Sequence, residues 1–469
     1  MAKRIVINPV TRISGFMEID VMVENQLVVD AKTKGNFFRG FEQMMVGRNP
    51  FDAIYLTQRI CGICSTAHST ASSVALEDAL QIQVTEIGRY VRDIIHGCEF
   101  LQNHLRHFYQ YTIPDFVKLP EVSSIYQADH TDFRLPKEVN DRIAKNYFSS
   151  FEFSRLAHQM LAVLGGKVPH NHGIFVGGYS MPPTADKIIK MKSILQKISD
   201  FINQFALPDV YDIARFYPDY FTLGKGPGNL LSYGAFHRYK NLGTLYVEPL
   251  VYIGGKTESF DPNFITEDIG YSWYAGKSTY KPLETMPEPE MEKKHGYSWV
   301  KAPRYKLLPF EVGPLARLWL SGDYRKGISA MDRTIARVLE AQKIAKIIGV
   351  LLDQVIPNHS VQQEWQLPES AVGVGLVDTT RGSLGHWLKL EQKLLSFYQI
   401  ITPSAWDFSS RDTNNIPGTA EQALIGTPIA NTEQPVELGR ILRSFDPCMS
   451  CATHVYMPGK EPKTIQVFG

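Results

Sequence analysis

Two short segments carry cysteines at a spacing suited to metal or redox chemistry. One reads RICGICSTAH from Arg59 to His68, and the other reads DPCMSCATH from Asp446 to His454. Each contains a Cys-x-x-Cys pair followed by a histidine. A turn of this kind brings two sulfurs within reach of one ion, and soft thiolates suit zinc, copper(I), iron–sulfur clusters or nickel. The segments therefore predict a soft-metal or redox site.

The cysteines favour one shared site. The chain has 469 residues and five cysteines, which are Cys61, Cys64, Cys98, Cys448 and Cys451. Such an odd, sparse set is not a disulfide framework. Because 384 positions separate Cys64 from Cys448, and zinc ribbons space their pairs by about 15–20 residues, a shared site requires distant parts of the chain to meet. This favours one intertwined domain over the three that length suggests.

The residue types leave three interpretations of the pairs open. A structural four-cysteine zinc site and a catalytic metal site are equally favoured, and a dithiol redox pair is less so. The flanking Arg59, His68 and His454 favour a reactive site, because burying them is costly unless they act on something there. With four cysteines used, Cys98 alone cannot hold an iron–sulfur relay. We therefore expect no iron–sulfur cluster in this chain and electron transfer through another chain.

Composition and charge exclude some classes of function. The formal net charge is +1, from 49 basic and 48 acidic residues, so the broad basic footprint of a nucleic-acid-binding protein is missing. No apolar run approaches the roughly 18 residues that span a bilayer. The segment MAKRIVINPVTRISGF lacks the apolar core of a secretory signal. We expect no nucleic-acid partner, and a chain that stays in the cytoplasm or is exported attached to another protein.

The elements that must position the pairs are mainly helical. Apolar residues at positions 87, 91, 94, 98, 101, 105 and 108 predict a long amphipathic helix with Cys98 as a small buried side chain. Further helices are predicted from Thr184 to Gln204 and from Ala330 to Val355. Alternation over residues 4–32 predicts a hairpin that turns at Asn25-Gln26, and residues 205–310 suggest irregular β structure.

The predicted fold class is α+β and mainly helical. A central bundle of long helices should carry small β-sheets at its periphery, and the N- and C-terminal segments should meet in the core.

The two cysteine motifs resemble a known family. Arg-x-Cys-Gly-x-Cys-x-x-x-His and Asp-Pro-Cys-x-x-Cys-x-x-His are similar to the signatures of nickel–iron hydrogenase large subunits. The segments VTRISGF, FFRGFEQMMVGRNPFDA, GGKVPHNHGIFVGG, TTRGSLGHW and ITPSAWDFSSRD extend the resemblance over essentially the whole chain. Relatives in respiratory complex I share the fold but lack the four cysteines. The pattern looks most like the membrane-bound uptake type.

The resemblance implies a catalytic subunit that cleaves dihydrogen reversibly and heterolytically into protons and electrons. The electrons would pass to an iron–sulfur small subunit, in a heterodimer or a dimer of heterodimers. Two alternatives are a hydrogen-sensing relative with slow turnover and a non-catalytic four-cysteine zinc protein. Metal analysis separates the zinc protein from the enzyme, and hydrogen-dependent dye reduction separates the enzyme from the sensor.

The resemblance also implies a ligand set for a nickel–iron centre. Cys61 and Cys448 would bind nickel terminally, whereas Cys64 and Cys451 would bridge nickel and iron. The iron of this family also carries carbon monoxide and cyanide.

Further roles carried over from the family surround this centre. Arg381 would lie over the open metal position, and Asp115 and Asp446 would hold and tune it. Ser404 would hydrogen-bond a cyanide ligand, and His68 would support a bridging cysteine.

Three more residues match family positions farther from the metals. Glu42 and His454 would bind a magnesium-type ion, although magnesium prefers oxygen ligands. His170 would lie near the first cluster of the partner subunit.

The sequence departs from the family at two positions near the metals. Ser14 stands in the motif Arg-Ile-Ser-Gly where the family has glutamate, the residue thought to accept a proton from the terminal nickel cysteine. A serine can relay a proton but cannot hold one as a base at neutral pH, so Glu18 or Asp20 could take over. Thr380 replaces a proline before Arg381, which changes the polarity near a cyanide ligand.

The sequence continues past His454 with VYMPGKEPKTIQVFG. In this family a protease removes such a tail after nickel insertion, so we expect one domain over residues 1–454 and a maturation extension over 455–469. We then expect nickel chaperones and a maturation protease as partners. A membrane cytochrome b is a further expected partner. Exported members travel with a small subunit that carries the signal, which favours a membrane-associated, periplasmic or extracytoplasmic location, with the cytoplasm as the alternative.

Overall fold

Helices form the centre of the computed structural model, which describes residues 2–121, 128, 130–361 and 363–452. The predictions for His454 and for the 455–469 tail lie outside these residues. In chain order the helices are α1 Phe41–Met45, α2 Asp52–Leu56, α3 Ser65–Ala79, α4 Glu86–Arg106, α5 Lys137–Gly165, α6 Ala185–Phe201, α7 Leu207–Phe216, α8 Pro314–Ser321, α9 Ala330–Gln354, α10 Pro403–Asp407, α11 Thr419–Leu424, α12 Val436–Ser444 and α13 Met449–Ala452.

The bundle is built around α4, whose apolar stripe was readable in the sequence. Val91, Ile94, Cys98 and Leu101 are all buried, as a helix with one apolar face requires. The helix packs against α5 and α9, and α6 packs against both of these. At its start, the Thr85 side chain accepts a hydrogen bond from the backbone N–H of Gly88, which satisfies a donor of the first turn.

Small antiparallel sheets surround the helices. Four have three strands, in the orders β1-β2-β3, β6-β7-β8, β11-β9-β13 and β14-β15-β16, and β4-β5 and β10-β12 are pairs. The strands are β1 Lys3–Ile7, β2 Met17–Glu24, β3 Leu27–Gly35, β4 Ile174–Phe175, β5 Gly178–Tyr179, β6 Leu230–Ser232, β7 Leu250–Ile253, β8 Lys256–Ser259, β9 Ile265–Asp268, β10 Tyr274–Ala275, β11 Thr279–Tyr280, β12 Glu288–Pro289, β13 Ala302–Tyr305, β14 Ser370–Thr379, β15 Gly382–Glu391 and β16 Leu394–Ile401.

The predicted elements are present with small changes in their bounds. β2 and β3 form the expected hairpin, and Asn25 and Gln26 turn with φ of 49° and 62°. The two later helices appear as α6 and α9. The 29-residue helix α5 and the sheet β14-β15-β16 were not predicted. The prediction of irregular β structure over residues 205–310 is wrong at its start, where α7 is helical with an apolar buried face. No helix among the described residues has the length and apolar character needed to cross a membrane.

The N-terminal and C-terminal segments meet beside the bundle, as the sequence predicted. Ser14 and Cys448 form a parallel β-bridge. The backbone N–H of Ser14 donates to Pro447 at 3.2 Å, and the N–H of Met449 donates to Ser14 at 2.7 Å. Helix α3 packs against β14 and β15. These contacts bring both cysteine pairs to the turn between those strands.

Candidate metal centre

The four paired cysteines converge on one point. The sulfurs of Cys61 and Cys448 are 3.3 Å apart, those of Cys64 and Cys451 are 3.1 Å apart, and those of Cys448 and Cys451 are 3.0 Å apart. All four sulfurs lie within 4.8 Å of one another and all are buried. This donor set fits one soft metal centre, so the predicted shared site is confirmed.

Local backbone structure aims each sulfur inward. Cys61 is extended after a short 3₁₀ turn, and Cys64 is the N-cap residue of α3. On the other side, Asp446 adopts a left-handed conformation with φ of 63°, which reverses the chain before Cys448. Cys451 follows one turn later in α13. A Cys-x-x-Cys turn therefore presents two sulfurs from each segment.

The hydrogen bonds divide the four sulfurs into two kinds. The Cys61 sulfur accepts from the backbone N–H of Ile63 at 3.3 Å, and the Cys448 thiol donates to the Ser14 hydroxyl oxygen at 3.5 Å. In the described part of the chain, the sulfurs of Cys64 and Cys451 form hydrogen bonds only with other sulfurs. One sulfur of each pair is thus hydrogen-bonded to a group outside the cluster, and the other is hydrogen-bonded only to sulfurs among the described residues.

Arg381 lies in the turn between β14 and β15 and faces the sulfurs. Its Nε donates to the backbone oxygen of Asp446 at 3.0 Å, and its Nη2 donates to Asn103 at 2.9 Å. Its Nη1 is buried without a hydrogen-bond partner among the described residues. Arg381 also lines a small cavity together with Cys64, Cys448 and other residues. The Nη1 group, with its two N–H bonds, is therefore available to whatever occupies this space.

Asp446 holds Arg381 through its side chain as well. One carboxylate oxygen lies 3.0 Å from Arg381 Nη2, and the other accepts from Arg337 at 3.2 Å and from Asn103 at 2.7 Å. Burial would raise the pKa of Asp446, but Arg381, His107, Arg337 and Asn103 together outweigh it and hold this pKa well below its usual range. Asp446 and Arg381 both stay ionised, so the arginine has a fixed orientation.

The prediction that Asp115 holds Arg381 is wrong. Its carboxylate pairs with Arg12 at 2.7 Å and with Arg443 at 2.6 Å. Both carboxylate oxygens are engaged by these guanidinium groups, so Asp115 fixes α12 and the segment before β2. Asn103 takes the contact expected of Asp115. In the sequence, the role of Asn103 was indicated only by its amide side chain, which lies between the apolar positions 101 and 105 of α4.

Ser404 and Thr380 bring hydroxyl groups to the same cavity. The Ser404 oxygen accepts from the backbone N–H of Cys448 at 3.0 Å, which leaves its own hydrogen free to donate. The Thr380 hydroxyl is buried without a hydrogen-bond partner among the described residues. Polar atoms without partners are rare in protein interiors, so this wall is suited to a polar group bound in the cavity.

His68 lines the cavity next to Cys64 and begins a buried hydrogen-bonded chain. Its Nδ1 lies 3.2 Å from His386 Nε2, and His386 Nδ1 lies 2.8 Å from the Tyr398 hydroxyl. Burial lowers the pKa of His68 to about 4. The ring is therefore neutral near pH 7 and acts through hydrogen bonds rather than through charge.

Glu42 lies in a separate buried charge cluster. Its carboxylate accepts from the backbone N–H of Ile400 at 3.0 Å and is 3.4 Å from Lys301, which is 3.2 Å from Glu267. Burial raises the pKa of Glu267 to about 7, and the carboxylate oxygens of this cluster are of the donor type that hard cations prefer. The second predicted ligand, His454, lies outside the described residues.

Two predictions concerned the surroundings of the first pair. Arg59 is exposed rather than buried, so the argument from the cost of its burial is wrong. His170 is partly buried, and its backbone N–H donates to the Ser65 hydroxyl at 3.0 Å. Burial and the charge of Arg59 lower the pKa of His170. The positive charge on the accessible surface beside Cys61 therefore comes from Arg59.

Among the described residues, four buried sulfurs lie close to an arginine nitrogen and a threonine hydroxyl that have no hydrogen-bond partner, and this arrangement indicates a class of protein. A structural zinc site is closed by its four ligands and has no use for such donors. This arrangement defines a metalloenzyme that binds a soft metal and a small substrate.

Comparison with known proteins agrees with this class. The family model for nickel-dependent hydrogenases matches residues 39–131, 122–327 and 320–454. The large subunit of the periplasmic [NiFeSe] hydrogenase from Desulfomicrobium baculatum is 36% identical, over 96% of this chain and 95% of the relative. The hydrogenase-2 large chain of Escherichia coli K12 is 30% identical, over 100% of both chains. The chain belongs to the nickel-dependent hydrogenase family.

Solved structures of relatives share the fold. The reduced [NiFeSe] hydrogenase of Desulfovibrio vulgaris Hildenborough has a TM-score of 0.92 at 37% identity, over 97% of this chain and 100% of that one. The H2-activated Desulfomicrobium baculatum enzyme has a TM-score of 0.93 at 36% identity. The predicted α+β fold and hydrogenase activity are thus confirmed. The sequence has cysteine at all four positions of the predicted metal site. The uptake subtype stays a prediction.

Proposed function

We propose that this chain is the catalytic large subunit of a nickel–iron hydrogenase that cleaves dihydrogen heterolytically and passes electrons to an iron–sulfur small subunit. The observation that carries the proposal is the Arg381 Nη1 group, which has no hydrogen-bond partner among the described residues and lies close to four buried sulfurs. When bound, the metal centre would supply the two-electron chemistry. The chain would supply ligands, a fixed positive charge and a route for protons.

The hydrogen bonds support the ligand assignment. A sulfur that bridges two metals uses its lone pairs for them, whereas a terminal sulfur can also accept hydrogen bonds. Cys61 accepts from a backbone N–H, and Cys448 is hydrogen-bonded to the Ser14 hydroxyl, so each has a partner outside the four sulfurs, which fits terminal nickel ligands. Cys64 and Cys451 form hydrogen bonds only with other sulfurs among the described residues, which fits bridging ligands.

The hydroxyls in the cavity support diatomic ligands on iron. Cyanide is a strong hydrogen-bond acceptor, so Ser404 and Thr380 would hold it, while carbon monoxide would face apolar wall atoms such as those of Leu384. Thr380 adds a donor where the family has proline. Infrared bands from both ligands would test this assignment directly.

Arg381 would polarise dihydrogen and stabilise charge that develops during cleavage. Its position is fixed by Asp446 and Asn103, so little reorganisation is needed when the charge appears. The charges of Asp446 and Cys448 outweigh burial and hold the pKa of Arg381 above its usual range. The group therefore remains a cation and does not itself carry the proton away.

Protons would leave the Cys448 sulfur through the Ser14 hydroxyl. The two acids considered as substitutes are already in ion pairs. Glu18 lies 2.6 Å from Lys34, and Asp20 lies 2.7 Å from Arg4. The hydrogen bond from Arg4 lowers the pKa of Asp20 to about 2, so this carboxylate does not hold a proton near pH 7. Ser14 would relay protons to water rather than store them.

A magnesium-type ion bound by Glu42 and His454 is proposed as a structural ion beside the buried Lys301. Magnesium analysis of wild type and Glu42→Gln tests it, since the ion should be lost while nickel is retained. The basic surface around Arg59 and His170 is the proposed docking face for the small subunit.

We further propose one catalytic domain over residues 1–454 and proteolytic removal of 455–469 during maturation, with nickel chaperones. Intact-mass measurement on active enzyme should give a chain ending at His454, and a full-length chain would contradict this. Export with the small subunit and docking to a membrane cytochrome b would give a membrane-associated location outside the cytoplasm.

Metal content and infrared spectroscopy test the central proposal. The purified complex should contain nickel and iron in about equal amounts and show carbon monoxide and cyanide bands. Cys448→Ala should lose nickel and activity. Cys98→Ala is the matched control, because Cys98 is buried in α4 away from the four sulfurs. Zinc alone in the wild-type protein would overturn the proposal, and hydrogen-dependent dye reduction would separate a fast enzyme from a slow sensor.

A further inference from the structure

The helix that follows the first cysteine pair begins without an ordinary cap. Helix N-termini carry backbone N–H groups with no partner inside the helix, and a Ser, Thr, Asp or Asn side chain at the N-cap usually accepts from them. The N-cap of α3 is Cys64, and its side chain makes no capping hydrogen bond. Its sulfur points instead to Cys451 at 3.1 Å.

Glu99 supplies the missing acceptors from another helix. One oxygen of its carboxylate accepts from the backbone N–H of Thr66 at 2.8 Å, and the other accepts from that of Ala67 at 3.1 Å. Glu99 lies on α4 and is 3% exposed. A carboxylate at this end of a helix also interacts favourably with the helix dipole.

No described cation forms a salt bridge with Glu99. The other acids near the centre differ in this respect, since Asp446 and Asp115 each contact two arginines. An unpaired carboxylate is costly to bury, and its two backbone hydrogen bonds offset that cost only in part. Because burial of the Glu99 carboxylate costs free energy of folding, a role of Glu99 at the metal site explains its position better than a role in stabilising the fold.

We propose that Glu99 is a positioning residue that keeps the Cys64 sulfur free to bridge the metals. Without Glu99, the N–H groups of Thr66 and Ala67 would turn to the nearest acceptor. The acceptor nearest to the first turn of a helix is usually the side chain of the N-cap residue. In α3 that acceptor is the Cys64 sulfur. A hydrogen-bonded sulfur donates less charge to a metal. The inference rests on the proposed function, because it concerns a bridging ligand of the nickel–iron centre.

Infrared spectroscopy of the complete enzyme tests the role of Glu99. In Glu99→Ala, the carbon monoxide band should move to higher frequency, because a weaker sulfur donor leaves less electron density on iron. In Glu99→Gln, one amide oxygen still accepts from the first turn, so the band should move less. Burial raises the pKa of Glu99 to about 7, so spectra are recorded at pH 8.5, where the wild-type carboxylate is ionised.

Glu77→Gln is the matched control. Glu77 is another buried carboxylate, at the far end of α3, and it accepts from Arg92 at 2.7 Å and from the backbone N–H of Gly177 at 2.8 Å. This variant should unfold at lower denaturant concentration with unchanged infrared bands. A shift in Glu77→Gln equal to that in Glu99→Ala would mean that the bands report general loosening, and would overturn the proposal.

Other outcomes also decide the proposal. Unshifted bands in Glu99→Ala, or equal shifts in the Ala and Gln variants, would overturn it. If Glu99→Ala does not fold, Glu99→Asp replaces it, since the shorter side chain cannot reach both N–H groups, and wild-type bands in Glu99→Asp would overturn the proposal. Absence of carbon monoxide and cyanide bands from wild type would instead contradict the proposed function, so the two failures are distinguishable.

Discussion

The Ser14 hydroxyl lies 3.5 Å from the Cys448 sulfur, and the backbones of the same two residues form a parallel β-bridge. The contact is therefore fixed by the main chain and not only by a side-chain rotamer. A hydroxyl held in this way can accept the proton of the thiol and pass its own proton on. It cannot accumulate protons, so each proton must move on to water before the next arrives.

Substitutions at Ser14 should change proton transfer more than metal content. Ser14→Ala removes the relay and should slow proton–deuterium exchange, whereas Ser14→Glu adds a general base and should speed it by tenfold or more, within the roughly 10²–10⁴-fold range of such groups. Nickel content should not change. Exposed Thr11→Ala is the control. Unchanged exchange in both Ser14 variants would show that this position carries no protons.

Arg381→Lys should lower turnover by about 10²–10³-fold, the usual cost of removing an electrostatic donor from an active site. Lysine keeps the charge but cannot contact Asn103 and Asp446 while presenting a further N–H. Steady-state hydrogen oxidation gives the rate, and metal analysis should show unchanged nickel. The exposed Arg325→Lys should behave as wild type. Turnover near the wild-type value in Arg381→Lys would contradict the role given to the guanidinium.

Substitution of Asp115 should change the stability of the fold, whereas substitution of Asp446 should change the properties of the metal centre. Asp115→Asn breaks buried pairs with Arg12 and Arg443 and should lower the free energy of unfolding by about 3–5 kcal/mol, with unchanged infrared bands. Asp446→Asn should shift the bands and slow turnover, because Asp446 contacts Arg381. Urea unfolding and infrared spectroscopy measure the two effects. A band shift in Asp115→Asn would restore the role first predicted for it.

The buried His96 should make the fold sensitive to acid. Burial lowers its pKa from 6.5 to about 3, so the unfolded chain binds a proton that the folded chain does not. Its contribution to stability is complete above about pH 6.5 and is lost as the pH falls toward 3. His96→Gln should therefore reduce the loss of unfolding free energy between pH 6 and 4 by up to about 1.4 kcal/mol per pH unit.

Denaturant titrations at several pH values measure this dependence on pH. The exposed His295→Gln should keep the wild-type slope. An unchanged slope in His96→Gln would mean that His96 titrates normally in the folded chain.

The sequence predicted the metal ligands well because their chemistry is local. A Cys-x-x-Cys turn places two sulfurs together whatever surrounds it, and the stripe of α4 follows from helical periodicity. The meeting of the two pairs followed from counting cysteines against the sites they could serve.

Partners of buried charges were harder to predict, because they depend on packing between distant segments. Asp115 and Asn103 are only 12 positions apart, yet the turns after α4 carry Asp115 to Arg443 while Asn103 reaches Arg381. Nothing in the residue spacing distinguishes these outcomes. Arg59 shows the same limit of prediction from sequence. It lies two positions from the buried Cys61, yet its own side chain is exposed. Glu99 was missed because its partners are backbone groups.

The bridge between Ser14 and Cys448 also sets an order of events during synthesis. At about 5–20 residues per second, the 384 positions from Cys64 to Cys448 take roughly 20–80 s to make. During that interval the first pair and Ser14 exist as an open half-site facing a nascent chain. Any metal bound then has at most two of its four sulfurs, so stable loading must wait until the second pair is made.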